Sequence, residues 1–153
     1  MTRAGSRRAG SSVDSRGEPT APRAPAIVLF AGSSNVKLLR WLHPEFRHCF
    51  VAVSVGGNWV IMDPLFHKTS LTVIEGYSAA ELIGWYQSHG LRAVATTIRD
   101  APAKMAPLAL PTCVEAVKRV LGIHARSVLT PRQLYDYILY NRKNNLDSDS
   151  RIA

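Results

Sequence analysis

Three side chains in this sequence have the chemistry of a nucleophile, a base and a group to orient the base: Cys113, His48 and Asp63. His48 opens and Asp63 nearly closes "HCFVAVSVGGNWVIMDPL", where apolar residues flank a Gly-Gly pair, a hairpin signal. With Gly56 and Gly57 as a two-residue turn, Val55 faces Asn58 and Phe50 faces Asp63. Side chains alternate with period two, so His48, Phe50, Ala52 and Ser54 share one face with Leu65, Asp63, Ile61 and Trp59 opposite them. His48 and Asp63 become diagonal neighbours, about 7–8 Å apart at the backbone and within side-chain reach. A four-residue loop keeps this parity and a three-residue loop destroys it.

The thiol comes later, in "PTCVEAV". Thr112 and Glu115 have the spacing of a capping box, which predicts Cys113 at the first helical position. Free backbone N–H groups and the positive end of the helix dipole favour thiolate over thiol there. The same N–H groups suit a developing oxyanion. Cys49 alternates to the face away from His48, with Val51, Val53 and Val55, and reads as core filler.

Each residue alone has an ordinary explanation. A histidine at a strand start is usually solvated, Asp63 before Pro64 suits a strand-to-turn junction, and a single thiol need do nothing. Their combination is what points to nucleophilic catalysis. His67 has the same parity as Asp63 and is the rival third member, whereas His43, His89 and His124 fall in turns or at helix ends. No His or Cys pair has zinc-site spacing, and neither a phosphate-binding Gly-rich loop nor a Gly-x-Ser-x-Gly elbow is present. No cofactor is expected.

The elements that must hold these residues follow from pattern. Residues 1–25 are Arg, Ser, Gly, Pro and Ala with little to bury, which predicts a disordered basic arm. A single domain over 26–140 begins with the buried strand "AIVLFA" and a helix in "SSNVKLLRWLHP", then the hairpin and a third strand at "SLTVIEG". "YSAAELIGWYQSHG" predicts a helix with a Ser78/Glu81 capping box, an inward stripe of Leu82, Trp85 and Tyr86, and Gly90 as its stop. A strand "LRAVATTIR", the connection "DAPAKMAPLALP", the Cys113 helix and a last helix "TPRQLYDYILYNRK" complete it. Residues 141–153 are expected to be a flexible tail. The order of elements suggests an α+β domain with a small antiparallel sheet.

Composition narrows the partners. At 153 residues and 46 % hydrophobic content the chain can bury one sizeable core. Its longest strictly apolar run, Ala26 to Ala31, is far too short for a membrane span, and no secretory signal is visible. Two cysteines without such a signal point to a reducing compartment. The net charge of +8 is spread along the chain with no adjacent basic run, so only weak, non-specific attraction of nucleic acid to the arm is expected.

A His-bearing strand, a second strand with a polar third residue, and a later Cys opening a helix together resemble the circularly permuted papain-like fold. That group includes NlpC-like cell-wall peptidases and lecithin retinol acyltransferase-like enzymes. "FRHCFVAV", "WVIMDPL" and "PTCVEAVKRVLGI…TPRQLYDYI" are also similar to small proteins encoded by bacteriophages. The resemblance covers residues 26–140 and implies Cys113 as nucleophile, His48 as general base and Asp63 as the orienting residue. It implies a thiol hydrolase or acyltransferase acting on a peptide, amide or ester, cytoplasmic or virion-associated, and cell-wall directed in some relatives. The sequence departs from the group in lacking a wall-binding module. The alternative expectation is a virion-associated structural or binding protein, with virion proteins as partners and no turnover.

Overall fold

The computed structural model describes residues 23–32, 43–100 and 112–149. Most of the expected arm, of the helix in "SSNVKLLRWLHP" and of the connection "DAPAKMAPLALP" lies outside the described residues. Among them are five strands and three helices: β1 (Pro25–Ala31), β2 (His48–Val55), β3 (Asn58–Pro64), β4 (Thr69–Ile74), α1 (Ala79–Ser88), β5 (Arg92–Thr97), α2 (Cys113–Val120) and α3 (Pro131–Asp149). The strands form one sheet in the order β4-β3-β2-β1-β5, and every neighbouring pair is antiparallel. The α+β class and the antiparallel sheet are those expected.

The β2–β3 hairpin closes through Gly56 and Gly57, whose φ values of 58° and 85° are the left-handed pair that a two-residue primed turn requires. The register follows from it: Val55 pairs with Asn58, Ser54 with Trp59 and Val51 with Met62. One sheet face carries Ala26, Val28, Phe30, Cys49, Val51 and Val94, covered by Val114, Val117 and Leu121 of the α2 segment and Leu134 and Ile138 of α3. The other face carries Ile27, Leu29, Phe50, Ala52, Trp59 and Ile61, packed against Leu82 and Tyr86 of α1. β1 is apolar on both faces because it is central and covered on both.

Helix ends follow their sequence signals with instructive exceptions. Ser78 and Glu81 form a reciprocal capping box, as do Thr130 and Gln133. At α2 only half of the expected box forms. Thr112 Oγ1 accepts from the Glu115 N–H at 3.2 Å, but the Glu115 carboxylate turns away to Lys118 Nζ (2.9 Å) and Arg119 Nε (3.1 Å). Two cations on the next turn outcompete one backbone N–H for a buried carboxylate. Trp85 also departs from expectation: it is 48 % exposed, with its ring tilted over His89 and edge-on to Tyr86, while Leu82 and Tyr86 are buried against the sheet with half-buried Ile83 beside them. Finally, α3 runs on to Asp149, through much of the segment read as a tail. No Pro or Gly follows Pro131, so nothing in the sequence stops it.

The start of β2 is fixed from several sides. Phe46, two residues before His48, is buried edge-on to Phe30 and tilted against Tyr135 of α3. The guanidinium groups of Arg92 and Arg132 lie over its ring at 5.7 and 5.2 Å. The Arg47 N–H donates to Ala31 O, and Arg47 Nη1 donates to Gly32 O. Gly32 also permits a close pass, since a Cβ there would sit 2.5 Å from Pro44 O.

Candidate active site

The hairpin brings His48 and Asp63 together as the register requires. His48 Nε2 and Asp63 Oδ1 are 2.6 Å apart, with side chains 18 % and 29 % exposed. The diagonal geometry leaves the imidazole partly sheltered, and Phe50 stacks on it with centroids 6.0 Å apart and planes 26° from parallel. With Nε2 held by the carboxylate, Nδ1 is the ring nitrogen left for another partner. His67, the rival, is exposed in the β3–β4 turn. His43 and His89 are exposed too, and His124 is half-buried beyond α2.

Cys113 is the first residue of α2, half-buried, with Thr112 as N-cap. Val114, Val117 and Leu121 recur on the helix face toward the sheet, so α2 lies over β2 and carries its first turn to the strand's beginning. There Cys113 and His48 act on each other, each shifting the other's pKa. His48 belongs to the opposite sheet face, yet it can meet α2 because the sheet ends at this point. Its β1 partner Ala31 is the last residue of that strand, and β3 stops at Pro64, one residue short of pairing with it.

Cys49, expected to be core filler, is the third party. It is fully buried and packs in the same cluster as Cys113. Its thiol and backbone N–H are among the groups that lower the pKa of the Cys113 thiol. The opposite-face assignment of Cys49 is right, and it is the reason for the contact, because α2 covers that face. The available signal was adjacency: a sulfur next to the base, on the side where an apolar helix must pack.

These contacts set the charges. The hydrogen bond from the Cys49 thiol is the largest influence on Cys113. Burial opposes it, and the hydrogen bond and charge of His48 with the Cys49 N–H bring the Cys113 pKa down to about 4. The Cys49 thiol is pushed well above its ordinary value, first by donating to Cys113 and then by burial. For His48, burial alone would lower the pKa, but the hydrogen bonds to Cys113 and Asp63 outweigh it and the net shift is upward. Both shifts put the proton on the imidazole and the negative charge on the Cys113 sulfur.

Among the described residues, no group of three or more His, Cys, Asp and Glu side chains is placed to hold a metal ion. Among them, too, no helix is long and apolar enough to cross a membrane. Comparison with protein-family models, with curated proteins and with solved structures found no match.

Proposed function

We propose that this chain is a cysteine-dependent hydrolase or acyltransferase that cleaves an amide or ester bond through an acyl-thioester on Cys113. The observation that carries this reading is the His48–Asp63 pair together with Cys113 at a helix start, whose pKa His48 helps to lower. It is the nucleophile, base and orienter arrangement of thiol acyl transfer. The order in the chain supports it as well: the His strand, then the Asp strand, then the Cys helix, which is the order of the circularly permuted papain-like group that the sequence resembles.

The steps follow from the charges. The Cys113 thiolate attacks the carbonyl carbon, and the carbonyl oxygen takes up the negative charge. The Cys113 and Val114 N–H groups lie before the first intrahelical donor, the Ala116 N–H, and can serve that oxyanion, since the Glu115 N–H already donates to Thr112 Oγ1. The His48 imidazolium gives its proton to the departing amine or alcohol, leaving the acyl group on sulfur. Neutral His48 then takes a proton from water or from an acceptor alcohol or amine, which attacks the thioester and restores the thiolate. Asp63 keeps the ring oriented and supports its positive charge throughout.

A chromogenic ester such as p-nitrophenyl acetate tests the reading. A burst of nitrophenol matched by one acetyl group on Cys113 is expected, absent from Cys113→Ala and His48→Ala. No adduct from any amide or ester tried, with the variants still folded, would leave a non-catalytic binding protein, such as a virion component, as the better account.

A further inference from the structure

Acyl transfer needs one sulfur, and the site has two. Cys49 is fully buried in the sheet, while Cys113 is only partly buried. Both are free, Cys49 belongs to the buried cluster and Cys113 packs against that same cluster, with the Cys49 thiol the leading influence on the Cys113 pKa. A residue that only filled space would have no need of a sulfur at that contact. We propose that Cys113 is also a site of oxidation by hydroperoxides, and that Cys49 resolves the product as an intramolecular Cys49–Cys113 disulfide.

The steps balance with hydrogen peroxide as the oxidant. The Cys113 thiolate attacks one peroxide oxygen, so an S–O bond forms and the O–O bond breaks. The departing hydroxide takes the proton of the His48 imidazolium and leaves as water, with Cys113 now a sulfenic acid. The Cys49 sulfur then attacks the Cys113 sulfur. An S–S bond forms, the S–O bond breaks, and the hydroxide leaves with the former Cys49 proton as a second water. Two electrons pass from the two sulfurs to one peroxide.

The contacts favour this sequence of events. Cys113 is the only one of the pair that is both charged and partly exposed, so it is oxidised first. What holds the proton on Cys49 is chiefly the hydrogen bond to the Cys113 thiolate. Once that charge has been lost to oxygen, this restraint disappears and Cys49 becomes a better attacking group while already in position. The disulfide removes the nucleophile from acyl transfer, and a dithiol reductant restores it, so oxidation acts as a reversible block and spares Cys113 the irreversible sulfinic acid.

The test uses the full chain treated with hydrogen peroxide near pH 6, then denatured, alkylated with N-ethylmaleimide and weighed by mass spectrometry. Both thiols should become unreactive together, with a mass loss of two hydrogens, a linked pair of peptides bearing Cys49 and Cys113, and recovery in dithiothreitol. In Cys49→Ala, and in Cys49→Ser as a second variant should one fold poorly, Cys113 should instead be trapped by dimedone and pass on to sulfinic acid that dithiothreitol does not reverse. Sulfinic acid on Cys113 of the wild type beside an alkylatable Cys49 would overturn the proposal. So would a disulfide joining two chains, or two thiols that peroxide leaves untouched. None of these readouts involves an acyl substrate, so failure here and failure of the hydrolase reading are separate results.

Discussion

At the scale of single residues, the charge on Cys113 depends first on Cys49 and only then on His48. Removing that donor in Cys49→Ala should move the pH at which Cys113 becomes alkylatable upward, although the base stays in place. In the wild type, iodoacetamide should still label Cys113 at pH 5.5, where an ordinary thiol is about one part in a thousand thiolate. Activity should follow a bell, because acylation needs the sulfur charged and the imidazole protonated. The acid limb reports Cys113 near 4, and the alkaline limb reports His48 above its ordinary 6.5. Asp63 raises the His48 pKa, so Asp63→Asn should draw the alkaline limb to lower pH, and a limb that does not move would deny Asp63 its role. Cys113→Ala and His48→Ala should each abolish turnover, with the double variant scarcely worse, since the two act as one unit.

The elements place these groups, and two of their supports can be probed. At Gly32 a methyl group would meet Pro44 O at 2.5 Å, backbone against backbone, beside the residues that lead into β2. Gly32→Ala should therefore cost about 1–3 kcal/mol in urea unfolding and lower activity more than its distance from the sulfur suggests. In α2, the buried Glu115 holds Lys118, whose Nζ also donates to Val128 O at 3.1 Å. Glu115→Gln should cost about 3–5 kcal/mol at neutral pH, because it strands a buried ammonium. Burial by itself raises the Glu115 pKa, but its bonds to Lys118 and Arg119 bring it below the usual carboxylate range. Its contribution is thus present above the unfolded value, about 4.3, and is lost as pH falls through the folded one, so the gap between wild type and variant should narrow at pH 3.

Much of this was legible in the sequence, for physical reasons. Period-two alternation about a Gly-Gly turn is enough to put His48 beside Asp63, and a Thr before an apolar helix is enough to place Cys113 at its start. The Cys49 contact was not legible, because it depends on which sheet face α2 covers. Neither was the single-sided cap at Thr112, which turns on competition from Lys118 and Arg119. Local rules determine partners close in sequence, whereas docking between distant elements determines the rest.

At the scale of the molecule, charge and chain order matter most. Of the net charge of +8, residues 1–25 contribute +3, from five Arg against Asp14 and Glu18. Any attraction to DNA should be weak and fall steeply with salt, and deleting residues 1–25 should flatten that dependence. An affinity for DNA that is indifferent to salt would point to base-specific contacts instead. Chain order has a different effect. The half of the site that bears His48 and Asp63 is a local hairpin, whose assembly can take microseconds, whereas Cys113 arrives 65 residues after His48. On a ribosome, the nascent chain would carry a finished base and an unarmed sulfur until α2 has emerged and docked. Its reactivity toward stray electrophiles would thus be withheld until the fold is nearly complete.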